Sequence, residues 1–90
     1  MITVSVRYEG KVQGVGFRAS VLSLAKGFEV TGWVKNLPDS RVELLATGEK
    51  DEVEEFLQSI RESHLAGHIE SESVLPTNPD PRIKGFRILD

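Results

Sequence analysis

The sequence predicts an α+β domain in which a four-stranded antiparallel sheet carries two helices on one face. Three observations lead to this class. Apolar residues alternate with polar ones near the start of the chain, they recur at helical spacing in two later stretches, and clusters of Gly, Pro, Asn and Asp separate these stretches. The resulting order is strand, helix, strand, strand, helix, strand. Two split strand–helix–strand units in that order form the ferredoxin-like α/β sandwich.

The first half of the chain supplies four of these elements. A period-2 pattern rich in β-branched residues predicts a half-buried first strand, with apolar positions Ile2, Val4, Val6 and Tyr8. Residues 10–16 contain three glycines and predict a loop, and apolar residues at helical spacing from Phe17 predict a helix that ends near Gly27. Residues 29–36 and 41–47 then predict a β-hairpin around the turn-forming residues 37–40.

The second half supplies the other helix and one or two strands. The spacing of Val53, Phe56, Leu57 and Ile60 predicts a helix, and we expect Gly67 to mark its end. Residues 68–75 predict a weaker strand because serines dilute the apolar alternation. After a proline-rich connection, residues 86–89 predict a short extra C-terminal strand.

Length and composition predict a single domain spanning residues 1–90. A chain of 90 residues with 39% hydrophobic residues can build one core but not two. The absence of cysteine excludes disulfides, thiolate metal sites and a catalytic thiol. No stretch resembles a signal peptide or approaches the roughly 20 apolar residues of a membrane span. We therefore expect a cytoplasmic monomer with no membrane partner.

The glycine-rich loop and the residues after it predict a site for a small anion. Gly14 and Gly16 allow consecutive backbone N–H groups to converge just before a helix N-terminus, and Arg18 can add a bidentate grip. A tight turn with a surface arginine is the simpler structural alternative. Gly14, Gly16 and Ala19 also satisfy a dinucleotide fingerprint, but the chain lacks the alternating strand–helix units of a parallel sheet.

The charge distribution agrees with a compact anionic ligand. Residues 1–36 carry five basic and two acidic side chains, whereas residues 37–90 carry six basic and twelve acidic ones, and the net charge is -3. An acidic protein repels polyanions, and the alternation of the first strand together with the acidic balance leaves no obvious aromatic and basic platform for RNA on an exposed sheet face. We therefore expect no nucleic-acid partner.

Other polar residues have a structural and a chemical interpretation. Asn36, at the end of the second strand, could orient a water molecule or cap the following turn. His64 and His68 are four residues apart, but Gly67 should interrupt their helix, so we expect no metal site. Trp33 is interpreted as a sheet residue packing on a neighbour. A solvated helix face is the expected position of the acidic cluster, which comprises Glu49, Asp51, Glu52, Glu54 and Glu55.

Three sequence blocks resemble the acylphosphatase family over essentially the whole chain. They are Gly10-x-Val12-Gln13-Gly14-Val15-x-Phe17-Arg18, then Gly32-Trp33-Val34-x-Asn36, and then Val42-Glu43 with Gly48. The resemblance implies hydrolysis of the carboxyl–phosphate bond of small-molecule acyl phosphates without metal or cofactor. It also implies that Arg18 binds the phosphoryl group and Asn36 positions the attacking water. The implied backbone cradle consists of Gln13, Gly14, Val15, Gly16 and Phe17.

The chain departs from the family pattern at two places. Ser40 occupies a turn position where the family usually has glycine, so any positive φ there is expected to cost energy. Ala19 and Ser20 follow Arg18 where an aromatic residue is common, which alters helix packing or the pocket wall. Two alternatives remain open: a non-catalytic module that only binds an anion or RNA, and the acylphosphatase-like domain of a larger carbamoyl-transfer protein.

Overall fold

The computed structural model of the chain describes residues 1–90. Its elements follow the predicted order, including the short extra strand at the end, with a 3₁₀ helix in addition. In chain order they are β1 (Ile2–Gly10), α1 (Phe17–Ala25), β2 (Val30–Asn36), β3 (Val42–Gly48), α2 (Lys50–Arg61), the 3₁₀ helix (His64–His68), β4 (Ile69–Pro76) and β5 (Phe86–Ile88). Neither α helix has the length and apolar character that crossing a membrane requires.

The strands form one sheet in the order β4-β1-β3-β2-β5. Strand β1 pairs antiparallel with both β3 and β4, and β2 pairs antiparallel with β3. The ferredoxin-like sandwich is therefore confirmed for β1 to β4. The fifth strand is also present, but it pairs parallel to β2 through Gly32 and Phe86, Trp33 and Arg87, and Val34 and Ile88. The complete sheet is mixed rather than antiparallel, because β5, at the edge opposite β4, runs parallel to its neighbour β2.

The α2 helix ends earlier than the prediction at Gly67. It stops at Arg61, and a separate 3₁₀ helix covers residues 64–68. Ser63 explains the break: its backbone is extended, its hydroxyl donates to the Ile60 carbonyl at 2.7 Å, and the same oxygen accepts from the Leu65 N–H at 3.1 Å. A local side-chain bond thus replaces the next helical turn.

The core lies between the helices and one face of the sheet. On β1 the inward side chains are the apolar ones predicted by the alternation: Val4, Val6 and Tyr8 are buried with α1 and α2 residues in one cluster, and the partly buried Ile2 packs against it. Its largest fully buried members are Tyr8, Phe17, Phe56, Leu44, Ile60 and Leu65. One-sided burial of this kind holds the two helices against the sheet and so positions the start of α1 beside the end of β2.

The opposite face of the sheet is not covered by a helix. Trp33 lies there, with the Lys35 ammonium 4.7 Å from the ring centroid. An aromatic and a basic side chain therefore do share an uncovered sheet face, contrary to the sequence expectation. On the same face, Glu43 on β3 lies between Arg7 on β1 and Lys35 on β2, and its carboxylate contacts Arg7 at 3.2 Å and Lys35 at 3.7 Å. This carboxylate offsets much of the local positive charge.

Candidate active site

The loop between β1 and α1 depends on two glycines. Gly14 has φ 80 and Gly16 has φ 75, values in the left-handed region that glycine adopts without a Cβ penalty. Nothing lies within 4 Å of a Cβ built at either position, so the backbone angle rather than crowding requires glycine. The two glycines bring the chain round to the first turn of α1.

The start of α1 has unsatisfied hydrogen-bond donors. Gly16 is the N-cap residue, no side chain caps the helix, and no acidic residue lies in its first turn. The first N–H groups of a helix have no intrahelical acceptors, and the helix dipole adds positive partial charge there. This end of α1 is therefore electrostatically suited to an anion.

A cavity of about 270 Å³ opens beside this helix start. Four parts of the chain form it: the glycine loop, the first turn of α1, the end of β2, and the end of β5 with the residues after it. Its lining residues are Val12, Gly14, Gly16, Phe17, Arg18, Ala19, Asn36, Ile88 and Asp90. The two side chains that the sequence singled out, Arg18 and Asn36, thus line one cavity although 18 positions separate them in the printed sequence.

Arg18 is half-buried and its guanidinium has no acidic partner. Its Nη1 donates to the carbonyl oxygen of Leu89 at 3.4 Å. The ion pairs of the chain involve Arg7, Lys35, Arg41, Lys50, Arg61 and Arg82 but not Arg18. A cation held at a cavity wall with no carboxylate within ion-pair distance is available to bind an external anion.

Asn36 is the last residue of β2 and is also half-buried. The following turn is closed by other groups: the Leu37 N–H donates to the Arg41 carbonyl at 2.8 Å, and the Asp39 carboxylate accepts from the Arg41 N–H at 3.2 Å. The Arg41 guanidinium beside Asp39 also lowers the pKa of that carboxyl. Asp39, and not Asn36, therefore caps the turn, and the Asn36 carboxamide remains on the cavity wall.

Gln13 has a role that sequence reasoning missed. Its side-chain nitrogen donates to the carbonyls of Leu37 and Arg41, both at 2.9 Å, and so joins the glycine loop to the β2–β3 turn. Neither Gln13 nor Val15 lines the cavity, whereas Gly14, Gly16 and Phe17 do. No local pattern signals these bonds, because their acceptors are backbone carbonyls 24 and 28 residues away.

The remaining wall of the cavity was also missed. Ile88 and Asp90 reach it because β5 pairs with β2, and the edge at which β5 adds cannot be read from its own residues. Ala19, which the sequence marked as a departure from the family pattern, is part of the same wall.

The other candidates lie elsewhere. His64 and His68 are at the two ends of the 3₁₀ helix, and His64 Nε2 is 3.1 Å from the Ser20 hydroxyl. No group of three or more His, Asp or Glu side chains is close enough to hold a metal ion. The acidic residues at the start of α2 are mostly exposed, as the sequence predicted.

Comparisons with known proteins agree with this fold. A family model described as Acylphosphatase matches residues 4–88. An acylphosphatase of Trichormus variabilis is 39% identical over 88 residues, which cover 98% of this chain and 86% of that protein. An acylphosphatase of Salinibacter ruber is 36% identical over 85 residues, which cover 94% of this chain and 90% of that protein.

Solved structures give the same result. The crystal structure of acylphosphatase from Bacillus subtilis matches with a TM-score of 0.88 at 31% identity, covering 100% of both chains. Full-length HypF, in a phosphate- and nucleotide-bound form, matches with a TM-score of 0.84 at 26% identity. That match covers 99% of this chain but 12% of HypF, so a similar domain also occurs inside a larger protein.

Fold and cavity together define a class: ferredoxin-like α+β domains with a glycine-rich, positively polarised cavity at the start of the first helix. Within that class, the chain belongs to the acylphosphatase family. It is a hydrolase that acts on acyl phosphates.

Proposed function

We propose that Arg18, Asn36 and the backbone of residues 13–17 carry out the hydrolysis of the carboxyl–phosphate bond of a small-molecule acyl phosphate. The observation that carries this proposal is the unpaired Arg18 guanidinium, which lines one cavity with Asn36 at an uncapped helix start. We further propose that the enzyme works as a cytoplasmic monomer.

In the proposed complex, the phosphoryl group lies against the glycine loop. Arg18 donates two parallel hydrogen bonds to its oxygens, and backbone N–H groups of the loop and of the first turn of α1 donate to the others. These donors stabilise the charge on the equatorial oxygens in the transition state. The Leu89 carbonyl, which accepts from Arg18 at 3.4 Å, restricts the position of the guanidinium.

The proposed chemical step is attack by one water molecule on phosphorus. The Asn36 carboxamide holds this water in line with the leaving oxygen. The new P–O bond forms as the bond between phosphorus and the acyl oxygen breaks, so a carboxylate leaves and inorganic phosphate remains. A phosphate oxygen of the substrate takes the proton of the water. Because carboxylate is a good leaving group, positioning and charge stabilisation suffice, and the proposal includes neither metal nor cofactor.

The test is a steady-state assay on benzoyl phosphate with and without EDTA. Arg18→Ala and Arg18→Lys are each expected to lower kcat by about a hundredfold or more, because a transition-state donor is lost. Arg87→Ala is the control, since Arg87 is an exposed arginine outside the cavity lining. Asn36→Ala should lower kcat with little change in KM, and EDTA should have no effect.

Phosphate binding separates an enzyme from a module that only holds an anion. Inorganic phosphate should inhibit competitively and raise the melting temperature of the wild type but not of Arg18→Ala. Binding of phosphate without turnover of benzoyl phosphate would favour the non-catalytic module and overturn the proposal. Full activity of Arg18→Ala would overturn the role given to the guanidinium.

A further inference from the structure

The cavity has a second wall that the phosphoryl group does not need. The glycine loop and Arg18 form one side, while Ala19, Ile88 and Asp90 belong to the remaining wall. Of the nine lining residues only Arg18 and Asp90 carry charge at neutral pH. An acidic residue therefore lines a cavity whose other features attract an anion.

The position of Asp90 follows from the pairing of the residue before it. The Leu89 N–H donates to the Val34 carbonyl on β2 at 2.9 Å, and the Leu89 carbonyl accepts from Arg18 at 3.4 Å. Leu89 is thus held on one side by the sheet and on the other by the cavity arginine. Asp90 follows directly, so its backbone enters the cavity wall at a defined place.

Asp90 is not consumed by pairing with Arg18. No ion pair within 4.0 Å joins the two side chains, and Asp90 donates or accepts no side-chain hydrogen bond. Its charge is consequently free to act on whatever occupies the rest of the cavity. Asp90 and Ala19 are exposed and Ile88 is half-buried, so solvent screens this charge in part.

We propose that Asp90 is a specificity-determining residue that disfavours acyl phosphates with a negatively charged acyl group. This inference rests on the proposed function, because the phosphoryl group at Arg18 leaves the Ala19, Ile88 and Asp90 wall to the acyl part. A neutral acyl group packs on the two apolar side chains, and a cationic one is attracted by the carboxylate. An anionic acyl group meets a like charge across a short distance.

The test compares two substrates of nearly the same shape, benzoyl phosphate and 4-carboxybenzoyl phosphate. The wild type should favour benzoyl phosphate in kcat/KM. Asp90→Asn should reduce that preference by about three- to tenfold, chiefly through KM for the anionic substrate. It removes the repulsion between the Asp90 carboxylate and the carboxylate of the substrate, which water partly screens. Asp90→Lys should reduce it further or invert it. Higher salt should weaken the preference of the wild type.

Glu62→Gln is the matched control, because it removes one exposed carboxylate outside the cavity and should leave the ratio unchanged. An unchanged ratio in both Asp90 variants would overturn the inference. An equal loss of kcat for both substrates in Asp90→Asn would also overturn it, since Asp90 would then take part in the chemistry. Failure of the wild type to hydrolyse benzoyl phosphate would overturn the proposed function itself.

Discussion

At the scale of single residues, Ser40 stores backbone strain in the β2–β3 turn. It is the one non-glycine residue with positive φ, at 80. The sequence flagged this position as one where the related family has glycine. A left-handed conformation costs an L-residue roughly 1–2 kcal/mol, and the turn keeps it because Leu37, Asp39 and Arg41 are bonded on either side.

Ser40→Gly should therefore stabilise the protein. Relief of the strain exceeds the extra unfolded-state entropy of glycine, and we expect the free energy of unfolding to rise by about 0.5–1 kcal/mol. Urea denaturation measures this value, with Ser40→Ala as the control that keeps the strain. A fall in stability for Ser40→Gly would show that the serine hydroxyl contributes more than the backbone costs.

Tyr8 departs from the rule that buried polar groups have hydrogen-bond partners. It is fully buried against Phe17, with ring centroids 5.2 Å apart, and its hydroxyl has no hydrogen-bond partner. Burial, followed by the charge of Glu72, raises the pKa of Tyr8 well above its ordinary value of 10.0. The folded state consequently holds the phenol protonated where the unfolded state releases the proton.

This shift predicts a loss of stability above pH 10, the ordinary pKa, that Tyr8→Phe should remove. The contribution of the raised Tyr8 pKa to the free energy of unfolding is fully present below that pH and declines as the phenol of the unfolded chain ionises. Because the chain has one tyrosine, ultraviolet absorbance of tyrosinate should appear only together with unfolding. At neutral pH, Tyr8→Phe should change stability by less than about 1 kcal/mol, and a larger loss would reveal a partner for the hydroxyl.

At the scale of elements, the loop before α1 and the turn after β2 form one unit. Gln13 bridges them through the Leu37 and Arg41 carbonyls, each at 2.9 Å. Both carbonyls also accept backbone bonds, from Ser40 and Leu37 respectively. Loss of Gln13 therefore leaves neither carbonyl without a partner but frees the loop from the turn.

Gln13→Ala should lower activity more than stability. We expect kcat/KM for benzoyl phosphate to fall about ten- to hundredfold, because small displacements of positioning groups are costly to the reaction. The free energy of unfolding should fall by only about 1–2 kcal/mol, as measured by urea denaturation. Gln58→Ala, on α2, is the control. Unaltered kcat/KM in Gln13→Ala would contradict a positioning role.

At the scale of the whole molecule, an aromatic cluster connects α2 with β5 and the segment before β2. Phe56 is fully buried, 5.8 Å from Phe28 and 5.5 Å from Phe86 between ring centroids. Phe86 begins β5, and Ile88 at the end of β5 and Asp90 after it complete the cavity wall. Packing in the core thus supports the site through the edge strand.

Phe56→Ala should come close to unfolding the protein. Truncating a buried phenylalanine costs about 3–5 kcal/mol, a large share of the roughly 5–15 kcal/mol that stabilises a domain. Phe56→Leu should cost less and keep the fold, and its phosphate affinity should fall as β5 loosens. Calorimetry and phosphate titration measure the two effects. Reduced stability with unchanged phosphate affinity in Phe56→Leu would contradict the claim that the aromatic cluster supports the cavity through β5.

Local patterns determined much of this protein. Alternation over residues 2–8 specifies strand β1, and helical spacing from Val53 specifies helix α2. Each pattern places the apolar side chains of nearby residues on one face, so it can be read from the local sequence alone. The glycines of the loop likewise indicate its backbone conformation directly. The motif blocks led to Arg18 and Asn36, and these two side chains line one cavity.

Only the tertiary structure decided the rest. The parallel pairing of β5, the bonds of Gln13 and the contact between Arg18 and Leu89 join residues up to 71 positions apart. The earlier end of α2 rests on hydrogen bonds of one serine hydroxyl. The periodicity of a segment indicates which of its faces is buried, but not which distant strand or carbonyl packs against that face. The second wall of the cavity, with Asp90, therefore forms only when β5 pairs with β2.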